Sequence, residues 1–178
     1  MCSILGYIGK EVSKQDIENA LLKTIKRGPD AQEVVETEFG YLGFARLAIM
    51  GLSEDGMQPF ERNGNYVVCN GEIYGFRRLK KELESRGYTF SSESDCEILL
   101  PLYKEYGVDM FAHLDAEFAC IMYDAEKKLV IAARDPIGIR PLFYGYSENG
   151  SFVLASEAKN LVGIVKKIKP FPQGHYMI

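Results

Sequence analysis

The chain has 178 residues, 47% of them hydrophobic and 26% charged, with 21 Lys+Arg against 25 Asp+Glu for a net charge of −4. This composition suits one globular domain with a sizeable core and excludes disordered and collagen-like chains. The mildly acidic balance argues against non-specific nucleic-acid binding, and no apolar run is long enough to cross a bilayer.

Cys2 to Ile8 is a short apolar run closed by Gly9 and reads as a buried strand. Ser13 and Asp16 form a capping-box pattern before a helix whose apolar face carries Ile17, Ala20, Leu21, Thr24 and Ile25, with Gly28-Pro29 as its stop. Strands are predicted over 32–39 and 41–49 around a turn at Gly40. Tyr66 to Cys69 is a further strand, running into the turn dipeptide Asn70-Gly71. Phe76, Leu79 and Leu83 line one face of a charged helix ending at Gly87. Ser94 can cap a helix bearing Leu99, Leu102, Tyr103 and Tyr106, and Pro101 should kink it. Strands follow at 117–123, 129–133, 142–146 and 152–155, and Phe171-Pro-Gln-Gly174 marks a turn.

Phe118 to Tyr123 is apolar on both strand faces, so it must be covered from both sides. Many strands with a few amphipathic helices, lacking strict βαβ alternation, predict an α+β fold of two packed sheets with outer helices. No repeat or linker divides the chain, so residues 1–178 are expected to form a single domain. The stop soon after the last turn reads as a trimmed domain edge. The N-terminus carries no signal-peptide pattern, and Cys2 in place of glycine excludes N-myristoylation, so a cytoplasmic location is expected.

The four cysteines (2, 69, 96 and 120) form no C-x-x-C pair, and the only histidines are His113 and His175. That makes a zinc site improbable and leaves any reactive thiol in need of a base other than histidine. Cys2 could supply its own: once Met1 is removed, its α-amine would titrate at about 7.7–8.0 and could serve as the proton acceptor. The alternative is a small thiol opening a strand. Asn70 and Gly71 could together offer two donors to an oxyanion, or form a hairpin turn. Arg46, in the apolar Phe44–Ile49 stretch, could clamp a carboxylate bidentately, or face solvent. Asp95 could pair with an ammonium group assisted by Glu72, or merely complement a helix start. Arg27-Gly-Pro-Asp30 and the array from Arg134 to Pro141 read as charge-braced loops, and Cys69, Cys96 and Cys120 as core or surface thiols.

The motifs Met1-Cys-Ser-Ile, Arg27-Gly-Pro-Asp30, Arg46-Leu-Ala-Ile49, Asn70-Gly-Glu-Ile-Tyr74, Ser94-Asp-Cys-Glu97 and Arg134-Asp-Pro-Ile-Gly-Ile-Arg-Pro-Leu142 stand in one order. With Ala155-Ser-Glu-Ala-Lys-Asn-Leu161 and Phe171-Pro-Gln-Gly-His-Tyr176, the set resembles the class II glutamine amidotransferases, and among them the glutaminase domain of asparagine synthetases. The resemblance implies the N-terminal-nucleophile fold, a four-layer αββα sandwich of two mainly antiparallel sheets. It implies hydrolysis of L-glutamine to glutamate and ammonia through a Cys2 thioester, with Asn70 and Gly71 as the oxyanion hole. Arg46 would hold the substrate carboxylate and Asp95 with Glu72 its ammonium group, while the backbone of Leu47, Ala48, Ile49 and Met50 lines the site.

No cofactor or metal is implied for that reaction; ATP and Mg would serve only a C-terminal synthetase domain. No Ser-Gly-Gly-x-Asp-Ser loop occurs in these 178 residues, so that domain is expected to be absent from them. The implied partner is such a domain or subunit receiving ammonia, packed on an exposed apolar patch opposite the glutamine pocket; nucleic acid and membrane are not implied, and a homodimer stays open. Lys26 and Ala45 stand where the family often has histidine, and Gly75 where it has asparagine, which puts local loop bracing in doubt. A free-standing glutaminase, a donor to another acceptor and a non-catalytic amino-acid-binding scaffold remain alternatives.

Overall fold

Two antiparallel sheets stack face to face in the computed structural model, which describes residues 1–49 and 53–178. Met50 therefore lies outside the described residues. The first sheet contains β1 (Ser3–Ile8), β2 (Ala31–Thr37), β3 (Gly40–Arg46), β8 (Phe143–Tyr146), β9 (Phe152–Ala155) and β10 (Lys169–Pro170), in the order β10-β8-β9-β1-β3-β2. The second contains β4 (Phe60–Arg62), β5 (Asn65–Ile73), β6 (Ala116–Asp124), β7 (Leu129–Arg134) and β11 (Tyr176–Met177), in the order β11-β7-β6-β5-β4. Helices α1 (Lys14–Leu22) and α4 (Ala158–Leu161) pack on the outer face of the first sheet, and α2 (Phe76–Ser85) and α3 (Leu99–Tyr106) on that of the second. The result is the expected αββα sandwich.

The two-faced strand accounts for the layering. Along β6, Phe118, Cys120 and Met122 enter the core beneath α2 and α3, whereas Ala119, Ile121 and Tyr123 enter the core between the sheets. Each large side chain so buried contributes roughly 1.5–3 kcal/mol, and neither face could be left wet. Among the described residues no helix is long and apolar enough to cross a membrane. At the end of the sandwich remote from Cys2, Ile8, Phe39, Phe152 and Met177 border an open, mainly apolar groove of about 650 Å3.

Several expected boundaries shift, each for a local reason. The Ser13–Asp16 capping box is present, but α1 ends at Leu22 and a turn carries residues 23–27. The chain leaves the helix early so that Gly28 can lie flush on β3, where a Cβ would collide with the Ala45 carbonyl. Thr24 is buried, donating to Leu21 O and bonded to Ser3 Oγ, while Ile25 is exposed instead of sharing the apolar face. Asn70-Gly71 is no turn: β5 continues through it, held extended by eight register pairs with β6. Pro101 occupies the first turn of α3, where its missing N–H costs the helix nothing, because Asp95–Ile98 forms a separate 3-10 turn ahead of it. Ser94 makes no side-chain capping bond there.

One polar tie makes the fold acid-sensitive. Glu11 accepts hydrogen bonds from the hydroxyls of Ser151 and Tyr7, which with nearby backbone N–H groups bring its pKa down to about 2. A carboxylate held below its unfolded value contributes stability above that value and loses it as pH falls through the folded one. The melting temperature of Glu11→Gln should therefore lie below wild type at pH 7. The difference should close between about pH 4.5 and 2. An equal difference at both extremes would show that the charge plays no part.

Candidate active site

The site grows from the start of β1. Cys2 directly precedes this strand, which runs between β3 and β9. Its thiol is bracketed by one peptide: Leu47 N–H donates to Sγ at 3.3 Å and the thiol donates to Leu47 O at 3.5 Å. Leu47 follows Arg46, the last residue of β3, so the nucleophile and the strand end are fastened together.

Arg27-Gly-Pro-Asp30 braces that junction and also reaches the nucleophile. Arg27 Nε donates to Cys2 O at 3.2 Å, and its Nη1 pairs with Glu157 at 3.1 Å. Asp30 accepts from Ala48 N–H at 2.7 Å and donates its own N–H to Arg46 O at 3.0 Å. Asn70, 2% exposed, completes the frame in the amide orientation that satisfies both of its ends. There Oδ1 accepts from Arg27 Nη2 at 3.3 Å and Nδ2 donates to Cys2 O at 3.2 Å.

Gly71 is glycine because of β6: a Cβ would stand 2.5 Å from Glu117 O and 2.8 Å from Phe118 Cβ. Alternate residues of a strand direct their N–H groups to the same side. Cys69 N–H goes to Gln58 Oε1 at 2.6 Å and Ile73 N–H to Asp95 Oδ2 at 2.7 Å. Gly71, between them, therefore turns its N–H to that same edge, beyond the end of β4. Asn70 and Gly71 thus border one cavity together with Cys2.

These groups surround a cavity of about 110 Å3 bordered also by Arg46, Leu47, Ile49, Glu72, Asp95 and Arg140. Arg46 is 7% exposed and donates to Ser53 O at 3.0 Å, so it faces the interior, not solvent. Asp95 is 6% exposed. Burial pushes its pKa up, against the opposing Ile73 N–H and neighbouring backbone donors, so the cavity holds a carboxylate whose charge would be relieved by a cation. Glu72 is exposed on the rim, opposite Glu117 in the β5–β6 register. Ala48 is not among the residues bordering the cavity; its N–H is committed to Asp30.

Several cavity residues escape the sequence reading as parts of the site, among them Gln58, Cys69, Cys96 and Arg140. Cys69 and Cys96 border it from below as protonated thiols. The Cys96 thiol is pushed up by its hydrogen bond to Cys69 and then by burial, and burial keeps Cys69 raised despite that bond. Arg140 lay in an array read as loop bracing. Arg134 and Asp135 do brace it: Asp135 accepts four backbone N–H bonds from residues 137–140, which hold its pKa low against burial. Arg140 itself pairs with Glu117 at 2.7 Å and touches the Met1 thioether. Cys120 is core, His113 stacks on Tyr106 and His175 is exposed.

A thiol at the head of a central strand in an αββα sandwich, with Asn70, Gly71 and a buried Arg and Asp bordering the same cavity, defines an N-terminal-nucleophile architecture. The family model described as "Glutamine amidotransferase domain" matches residues 1–177, and the chain belongs to that family. It is 41% identical over 187 residues to a probable glutamine-hydrolysing asparagine synthetase of Acanthamoeba polyphaga mimivirus, covering 99% of this chain and 34% of that protein. It is 36% identical over 183 residues to asparagine synthetase B of Escherichia coli K12, covering 99% and 33%. The chain thus spans about a third of the length of these curated relatives. Among solved structures, glutamine phosphoribosylpyrophosphate amidotransferase from B. subtilis, complexed with ADP and GMP, superposes with a TM-score of 0.85 at 22% identity. The match covers 98% of this chain and 46% of that one, and it establishes the shared fold.

Proposed function

We propose that this domain hydrolyses the side-chain amide of L-glutamine through a γ-glutamyl thioester on Cys2 and passes the ammonia to an acceptor domain of the asparagine synthetase type. The carrying observation is that Cys2 is held at both ends, its thiol by Leu47 and its carbonyl by Arg27 and Asn70, beside Gly71. Arg46 would clamp the substrate α-carboxylate and Asp95, with Glu72 on the rim, its ammonium group. The thiol adds to the amide carbon while its proton moves to the Cys2 α-amine. Asn70 Nδ2 and Gly71 N–H take the oxyanion charge, each such donor being worth roughly 10²–10³ in rate. The α-amine then protonates the departing nitrogen, ammonia leaves, and water attacks the thioester to give glutamate and restore the thiol.

The base exists only after Met1 is removed. With Met1 in place its amine lies 3.3 Å from Arg27 O and the Cys2 nitrogen is an amide. Neither metal nor ATP enters this half-reaction, because the nucleophile residue carries its own base. Ammonia is quickly protonated in bulk water, so a productive acceptor must seal against the domain. The apolar residues exposed along the Tyr74 and Ile137–Ile139 side of the cavity and the groove beside Ile8 are the two candidate faces.

Ammonia release from glutamine by Met1-processed protein, verified by intact mass, tests the reading; processed protein that binds glutamine without releasing ammonia would favour a binding scaffold. Arg46→Lys separates the roles further. Lysine keeps the charge but loses the planar fork, so one charge-assisted bond, worth about 1.5–3 kcal/mol, goes and KM should rise roughly tenfold or more. An unchanged KM would remove Arg46 from the substrate site.

A further inference from the structure

The residue just before the oxyanion donors is held by a side chain where a strand would be expected. β4 pairs with β5 only as far as Phe60 opposite Val67. Two more residues of that register would set residue 58 opposite Cys69, and there the Gln58 side chain takes over. Its Oε1 accepts Cys69 N–H at 2.6 Å and its Nε2 donates to Cys69 O at 3.2 Å. Gln58 is 4% exposed and borders the cavity. Its amide satisfies Cys69 as a neighbouring strand would, and both of its hydrogen bonds are made there, none to Gly71. A ladder that continued would bring a carbonyl opposite Gly71 and occupy its N–H.

We propose that Gln58 is a positioning residue for the oxyanion donors. It anchors β5 at Cys69 and ends the ladder there, which keeps Asn70 in register with Cys2 and leaves Gly71 N–H turned to the cavity. The inference rests on the glutaminase reading for its catalytic consequence, but its structural half stands apart. Misplaced oxyanion donors weaken binding of the transition state and not of the ground state. The substrate α-groups are held elsewhere, by Arg46 and Asp95.

Gln58→Met keeps the volume and removes both bonds; Gln58→Glu keeps an acceptor for Cys69 N–H and loses the donor. In steady-state glutamine hydrolysis, kcat should fall at least about tenfold for Gln58→Met and less for Gln58→Glu, with KM within about twofold of wild type for both. A raised KM with unchanged kcat would make Gln58 a pocket wall, and unchanged constants in both variants would equally overturn the proposal. Amide hydrogen exchange supplies a readout independent of turnover: Cys69 should lose protection in Gln58→Met while α1 keeps it. Unaltered Cys69 protection overturns the anchoring whether or not the protein is a glutaminase. Wild-type protein inactive on glutamine, with Cys69 exchange altered as expected, would instead overturn the glutaminase reading alone. If Gln58→Met also loses protection in α1 it has unfolded, and Gln58→Glu, which keeps the Cys69 acceptor, then decides by its kinetics: a lowered kcat at unchanged KM is expected, and an unchanged kcat overturns the proposal.

Discussion

Cys2→Ala should abolish ammonia release from glutamine, by on the order of 10⁴-fold or more, because no second group can form the acyl bond. The other thiols offer no substitute. Cys69, Cys96 and Cys120 are all buried with raised pKa values. Glutamine binding should survive in this variant, within a few-fold by calorimetry, since the proposed holders of the substrate α-groups, Arg46 and Asp95, are untouched. The fold should survive as well: Cys2 precedes β1, and its carbonyl, the group that Arg27 and Asn70 hold, is kept in alanine. Loss of binding together with turnover would assign Cys2 a structural role.

Asp95→Asn should move stability and affinity in opposite directions. Burial holds the folded-state pKa of Asp95 above its ordinary value of 3.8. The folded chain therefore binds more protons than the unfolded one across that window, and stability declines as pH rises through it. At neutral pH the buried charge is a net cost that asparagine removes, while its side-chain oxygen can still accept from Ile73 N–H. The melting temperature of the variant should exceed wild type at pH 7, and the gain should vanish as pH falls below about 4, where both states of Asp95 are protonated. Glutamine KM should meanwhile rise roughly tenfold or more, because the ammonium group loses a charge-assisted partner. A lower melting temperature with KM unchanged would make the carboxylate a clamp for β5 and nothing more.

How far the site could be read from sequence follows from how local each part is. Cys2 needs only its position at the chain start, and the braces around it travel in short motifs whose order is visible along the chain. Arg46 and Asp95 are ambiguous in sequence because strand alternation and a helix start each permit an exposed charge; in the fold both are buried and border the cavity. Asn70-Gly71 carries a turn alternative in sequence because the dipeptide's own preference favours one, whereas eight β5 pairs with β6 override it. Gln58 and the edge of β5 were invisible, since their meaning depends on where β4 stops pairing, a property of register between strands. Arg140 was hidden by its motif: the same loop holds Arg134 and Asp135, whose bonds are purely structural, and only the fold carries the next charged side chain to the cavity.

The central claim is that Cys2, freed of Met1, carries the γ-glutamyl group. Acid quench of processed protein during turnover with glutamine, followed by peptide mass mapping, tests it directly. The account predicts a γ-glutamyl mass on the N-terminal peptide beginning at Cys2, absent from Cys2→Ala and from protein retaining Met1. Ammonia released at wild-type rate by either of those two proteins, with no adduct on Cys2, would contradict it.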